Sequence, residues 1–277
     1  MKTIRGMFFS GTGTTEKIVK KVAEEMAAAL PETAFAKAED IDFTPPEARK
    51  KEYAFGEEDI VVFGTPVIAG RVPNVLLKFL DTLEGGDALA VPVVLYGNRN
   101  YDDALIELRN ILEAKGFHTI AAAAFIGEHS FSRMLAAGRP DAEDMACAGD
   151  FAKAVAAKIS NLGEEIPGPI DVAGETPIRD YYKPRDRHGE HINILKVKPK
   201  LDESRCTGCG TCVRACPMGS IKESAPGVVD GICIKCCGCE KKCPEGALYF
   251  DDPGYIYHKE ELEYLYAGTR REPEVFI

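Results

Sequence analysis

The chain has 277 residues, a formal net charge of −10, a sequence pI near 5.2 and 45% hydrophobic residues. That much apolar material excludes a disordered chain, and the acidic balance argues against a nucleic-acid binder, whose affinity rests on Lys and Arg neutralising phosphates. No run approaches the roughly 20 apolar residues of a membrane span, and Met1–Phe9 lacks the apolar core and cleavage site of a signal peptide. The expectation is a cytoplasmic protein without membrane insertion.

Residues 1–162 alternate strand and helix signals. Ile4–Phe9 reads as a strand running into the loop Ser10-Gly11-Thr12-Gly13, and Glu16–Ala29 as a helix carrying Ile18, Val19, Val22 and Met26 on one face. Thr33–Ala38 is a weak strand at an edge. Asp59–Gly64 is a buried strand, Pro73 opens a helix at a favoured first-turn position, and Val91–Tyr96 is another buried strand. A helix over Asp102–Lys115 stops at Gly116, a fifth strand spans Thr119–Ile126, and a last helix spans Asp141–Leu162. Apolar strands separated by helices imply a parallel sheet covered on both faces. Five such units make an α/β doubly wound domain that binds its ligand outside the carboxyl ends of the strands. The ligand loops are then Ser10–Thr15, Thr65–Arg71, Gly97–Asp102 and Gly127–Ser132.

Residues 163–199, rich in Pro and Gly, read as a linker. Ile178, Tyr181, Tyr182, Ile192, Ile194 and Leu195 are too many apolar groups for a free tether, so part of it should pack and hold the next domain near the ligand loops. Residues 200–252 form that second domain. Residues 253–277 are a tail, with an amphipathic helix expected over Lys259–Phe276.

Nine of the ten cysteines lie between Cys206 and Cys243. They form a repeat: Cys206-x2-Cys209-x2-Cys212-x3-Cys216-Pro217, then Cys233-x2-Cys236-x2-Cys239-x3-Cys243-Pro244. A structural zinc site uses pairs of C-x2-C rather than triple runs with a fourth Cys and a proline. This segment resembles the two-cluster bacterial ferredoxins, in which the fourth Cys of each run serves the other [4Fe–4S] cluster. The resemblance implies one cluster on Cys206, Cys209, Cys212 and Cys243, and another on Cys233, Cys236, Cys239 and Cys216. Cys237 is out of register, with packing, hydrogen bonding or alternative ligation open to it. Cys147, in a helix, is expected to pack.

In the first loop, the hydroxyls of Ser10, Thr12, Thr14 and Thr15 and the flexibility of Gly11 and Gly13 suit a phosphate at a helix N-terminus. With no Lys in the loop, a phosphomonoester such as that of FMN fits better than a nucleoside triphosphate. Glu16 in the last glycine position breaks the dinucleotide fingerprint. The first 160 residues or so resemble the flavodoxin family in this loop. The resemblance implies an FMN domain able to bind alone over 1–162. It also implies ring contacts from Thr65, Pro66, Val67, Ile68, Ala69, Gly70 and Arg71, and from Gly97, Asn98, Arg99, Tyr101 and Asp102. Tyr101 is the expected stacking residue and Arg71 and Arg99 the cations nearest the ring; His129, also on the ligand side, has the flavin edge or a substrate pocket open to it, though a lone loop histidine is more often structural.

The whole order is similar to the EFR1-type fused flavodoxin–ferredoxin proteins of anaerobes, which implies electron transfer with redox partner proteins. An acidic surface suits basic partners. Two readings remain: an electron carrier, and a flavin-dependent reductase of a small molecule fed by the clusters. No nucleophile–base constellation and no nicotinamide fingerprint favours the second. Homo-oligomerisation is left open.

Overall fold

The computed structural model describes residues 2–31, 35, 38–163, 166 and 168–277. The first domain runs β1 (Thr3–Phe8), α1 (Thr14–Ala29), β2 (Glu39–Asp42), β3 (Asp59–Pro66), α2 (Asn74–Leu80), β4 (Leu89–Tyr96), α3 (Ala104–Ala114), β5 (His118–Thr119), β6 (Ala122–Ile126) and α4 (Ala142–Ser160). The second segment adds β7 (Lys200–Leu201), α5 (Thr211–Ala215), β8 (Ile221–Lys222), β9 (Ala225–Val229), α6 (Gly238–Lys241) and β10 (Leu248–Tyr249). The tail adds α7 (Pro253–Tyr266) and β11 (Glu274–Phe276).

The main strands lie in the order β2-β1-β3-β4-β6, all parallel, with β5 a short parallel partner of β4. This is the flavodoxin-like doubly wound α/β sheet. Alternate side chains feed its two faces. Ile60 and Val62 of β3 join Ile18, Val22 and Phe151 on the α1/α4 side, while Val61 and Phe63 join Leu76, Leu80 and Leu108 on the α2/α3 side. Each such buried side chain contributes about 1.5–3 kcal/mol. β4 is buried along its whole length, as a strand between two covered faces must be.

Three expectations change. The edge strand lies at Glu39–Asp42, and most of the expected Thr33–Ala38 strand falls outside the described residues. The fifth strand is interrupted, giving β5 and β6. The tail is not one helix: α7 starts earlier, at Pro253, capped by the Asp252 carboxylate accepting from the Tyr255 N–H at 2.9 Å. Its end becomes β11, which pairs antiparallel with β6 through Glu274↔Ala124 and Phe276↔Ala122 and covers that edge. The residues are short of helix signal there, and an open strand edge beside β6 offers unpaired backbone groups.

The linker is a strap on the first domain. Val172 and Ile178 enter the α2/α3-side core. The fully buried Asp103 carboxylate pairs with the Arg179 guanidinium and accepts the Glu175 and Arg179 N–H groups at 3.0 and 2.7 Å. Those bonds hold its carboxyl down at about 2. The second segment is small, with β7 antiparallel to β10 and β8 to β9 around a core of Cys212, Ile221, Cys239 and Leu248. No helix among the described residues is long and apolar enough to cross a membrane.

Candidate cofactor cleft and cysteine cavities

A cleft of about 260 Å³ opens at the carboxyl ends of β1, β3, β4 and β6. Its β1 side is the loop that enters α1. Gly13 takes a left-handed φ of 104° there, which favours glycine. The Ser10 hydroxyl accepts the N–H groups of Gly13 and Glu16, both at 3.1 Å, and so braces the turn. The N–H groups of Gly11, Thr12, Thr14 and Thr15 keep no partner among the described residues, and Thr12 and Thr14 add hydroxyls to the cleft wall. Orphan donors at a helix N-terminus, with no cation in the loop, fit a phosphate monoester.

Opposite lies the loop after β3. Ile68 and Arg71 exchange backbone hydrogen bonds at 3.0 and 3.2 Å, and Ala69 and Gly70 both have positive φ, 53° and 76°. That is a tight hairpin of the I′ kind. Its tip carbonyl, Ala69, accepts the Tyr182 N–H at 2.8 Å, which draws the strap over the cleft. Pro66 through Gly70 line the cleft, as do Gly97 and Arg99 from the loop after β4.

Other expected ring residues lie elsewhere. Tyr101 is 4% exposed, packs on Tyr96 at 5.5 Å and donates its hydroxyl to Glu274 at 2.6 Å. It anchors β11 and stacks on nothing in the cleft, because core burial outcompetes a solvent-side position. Arg71 turns away: its guanidinium holds Glu107 at 2.6–2.7 Å, bonds the Arg179 carbonyl and lies 4.7 Å from the Tyr181 ring centre. The Asn98 amide holds the carbonyls of Tyr266 and Thr269 at 3.0 and 2.7 Å, and Asp102 pairs with Arg99. Thr65 is buried behind the wall, and its hydroxyl has no partner among the described residues. Among the described residues the cations of the cleft lining are Arg99 and Lys235.

Sequence reading missed the far wall, which comes from distant segments: Tyr182 of the strap, Lys235 and Cys236 of the second segment, and His258 and Leu262 of α7. His129 also faces the cleft. Burial first, then Lys241 and His258, pull its pKa down to about 3, so it is neutral. Gly97 is needed beside it, because a Cβ there would collide with the imidazole.

Two smaller cavities sort the cysteines. One is lined by Cys206, Cys209, Cys212 and Cys243, the other by Cys216, Cys233, Cys236, Cys237 and Cys239. Each joins cysteines of one run to the fourth cysteine of the other, and the second also holds the out-of-register Cys237. No three His, Cys, Asp or Glu side chains among the described residues stand close enough to hold a single ion. A cubane, with a separate iron for each thiolate, suits four sulfurs around one cavity. Cys237 is buried. Its thiol contacts the Tyr255 hydroxyl at 3.4 Å, so it ties α7 to the cysteine loop. Cys147 packs beside the α1/α4-side core.

The second cavity abuts the cleft. A Cβ on Gly11 would lie 2.9 Å from the Cys236 Cβ and 3.1 Å from its Sγ, and a Cβ on Gly238 2.5 Å from the Gly11 carbonyl oxygen. Around this contact Lys241 donates to Glu128 at 2.5 Å and to the carbonyls of His129 and Ser132 at 2.7 and 2.9 Å, and Arg49 reaches the Pro217 carbonyl.

Residues 9–131 match the NADPH-dependent FMN reductase family and residues 199–222 the 4Fe-4S binding domain. No curated protein matches the chain. Among solved structures it is similar to a flavodoxin from the domain Archaea (16% identity, 58% of this chain and 100% of that one, TM-score 0.40). It is also similar to Flavodoxin 1 from Bacillus cereus (19%, 59% and 100%, TM-score 0.41). A third similar structure is the NADH:FMN oxidoreductase EMOB in its apo form (18%, 60% and 92%, TM-score 0.39). The chain thus joins a flavodoxin-like domain of the FMN reductase type to a 4Fe-4S segment, the composition of a redox iron–sulfur flavoprotein.

Proposed function

We propose that this protein relays electrons within one chain between two [4Fe–4S] clusters and an FMN, and exchanges them with redox partner proteins. The observation that carries the reading is the Gly11–Cys236 contact, which brings the loop suited to a flavin phosphate against a cysteine of the inner cavity. In this reading Cys216, Cys233, Cys236 and Cys239 hold the inner cluster, and Cys206, Cys209, Cys212 and Cys243 the outer one. FMN, when bound, would accept and release electrons singly or in pairs, which matches one-electron clusters to two-electron chemistry. The residues do the positioning: Gly11–Thr15 hold the phosphate, the Ala69–Gly70 turn and Arg99 flank the ring, and Tyr182 with α7 excludes water from the far side. Partner proteins would meet the outer cavity, where Cys209 is exposed. The finer kinship, an EFR1-type fusion, belongs to the same proposal.

The test is rapid anaerobic reduction of the clusters, with flavin reduction followed at several protein concentrations. A rate independent of concentration supports transfer within the chain, and one proportional to concentration overturns it. The match to the FMN reductase family favours a second reading, an FMN-dependent reductase of a small acceptor. Steady-state turnover with candidate acceptors separates the two.

A further inference from the structure

His258 lies on α7, outside the flavodoxin-like domain. It is 5% exposed and faces the cleft. Its ring lies edge-on to Phe131 at 6.2 Å and near-parallel to Tyr182 at 6.1 Å, so its orientation is held by packing. Neither ring nitrogen has a hydrogen-bond partner among the described residues, whereas the other cleft histidine, His129, already accepts the Phe131 N–H at 3.2 Å through Nδ1. Burial and the Arg99 charge hold His258 neutral, with a pKa down at about 4. A neutral imidazole offers one donor and one acceptor. Unpaired within the chain on a residue that lines the cleft, both are free to bond whatever occupies it. The neighbours fix which part of the occupant that is. Phe131 follows β6, Arg99 follows β4 and Tyr182 belongs to the strap. None belongs to the β1 loop, where the orphan N–H groups await a phosphate.

We propose that His258 is a hydrogen-bonding ligand of the flavin ring, supplied by α7 and steadied by Tyr182, so that the flavin site is composite and incomplete in residues 1–162. This rests on the FMN reading above. It also replaces the expectation that the first domain binds FMN unaided.

The experiment titrates FMN and riboflavin into the flavin-free full-length chain, with circular dichroism and iron content checking the fold. His258→Phe keeps the packing against Tyr182 and Phe131 and removes only the polar atoms. It should weaken FMN and riboflavin by the same factor, about tenfold for a lost buried hydrogen bond, and move the visible band of the bound flavin. His258→Gln, which keeps a donor and an acceptor, should recover most of that affinity. Thr12→Ala should weaken FMN and spare riboflavin, marking the other end of the cleft. If His258→Phe binds both flavins as the unaltered chain does, with the same band, the assignment of His258 falls and the FMN reading stands. If the unaltered chain binds neither flavin, the FMN reading itself falls.

Discussion

The two cysteine runs are near copies in sequence and unlike in setting. Each run turns through a left-handed residue just before its second cysteine and another just after it. The first run fills these positions with Gly208 and Gly210, at φ 70° and 69°. The second fills them with Lys235 and Cys237, at 54° and 56°. A side chain in that conformation costs roughly 1–2 kcal/mol, and each of these side chains has a use. Lys235 faces the cleft and donates to the carbonyls of Leu195 and Cys233 at 3.2 and 3.0 Å, and Cys237 meets Tyr255 of α7. The first run faces outward with Cys209 exposed, while burial pushes the Cys236 thiol of the second up to about 11. Two near-identical runs thus occupy two positions, one against the cleft and one facing outward, and the departures from glycine mark the copy against the cleft.

The sharpest way to break this comparison is to remove the crossed cysteines. Cys216→Ala and Cys243→Ala should each lower iron from about eight to about four per chain. Only Cys216→Ala should also uncouple the flavin from the remaining cluster, as rapid reduction would read. Loss of coupling in Cys243→Ala alone would reverse inner and outer.

Gly238→Ala presses a methyl on the Gly11 carbonyl. It should cost about 1–3 kcal/mol by overpacking and slow flavin reduction while both cofactors stay bound, measured by urea unfolding and stopped flow. Lys241→Met, at the inner contact, strands the Glu128 carboxylate and two carbonyls, for a loss of about 1–3 kcal/mol. Its outer counterpart, Lys200→Met, removes an ion pair exposed on both sides, and should leave the unfolding midpoint nearly unchanged. Equal effects would mean that the second segment is not seated on the cleft.

Gly208→Ala should cost about 1–2 kcal/mol from backbone strain, since nothing lies near its Cβ. Lys235→Gly relieves the same strain, loses the two hydrogen bonds and should come out closer to neutral in thermal unfolding. A separate effect is a pH dependence at the inner contact. His129 takes a proton near 6.5 when unfolded and near 3 when folded, so its stabilisation is full above about 6.5 and declines as the pH falls toward 3. Between pH 7 and 5.5, urea midpoints should drop in the parent, by up to about 1.4 kcal/mol per pH unit below 6.5, and drop less in His129→Gln. An unchanged slope would detach His129 from the acid sensitivity.

Features that depend on local order are legible in the order of residues alone. Strand and helix period follow from side chains a few residues apart, so β1, β3, β4 and their helices were legible as positions. The hydroxyl–glycine loop and the cysteine spacing were legible as chemistry, because three thiols on one turn need no distant partner. The tertiary structure decided where side chains of long reach point. Arg71 found Glu107, and Tyr101 found Glu274 across 173 residues, which no spacing rule anticipates. It also decided the far wall of the cleft. Tyr182, Lys235 and His258 come from three segments whose meeting depends on docking, and docking depends on contacts such as Gly11 with Cys236 that join surfaces far apart in the chain.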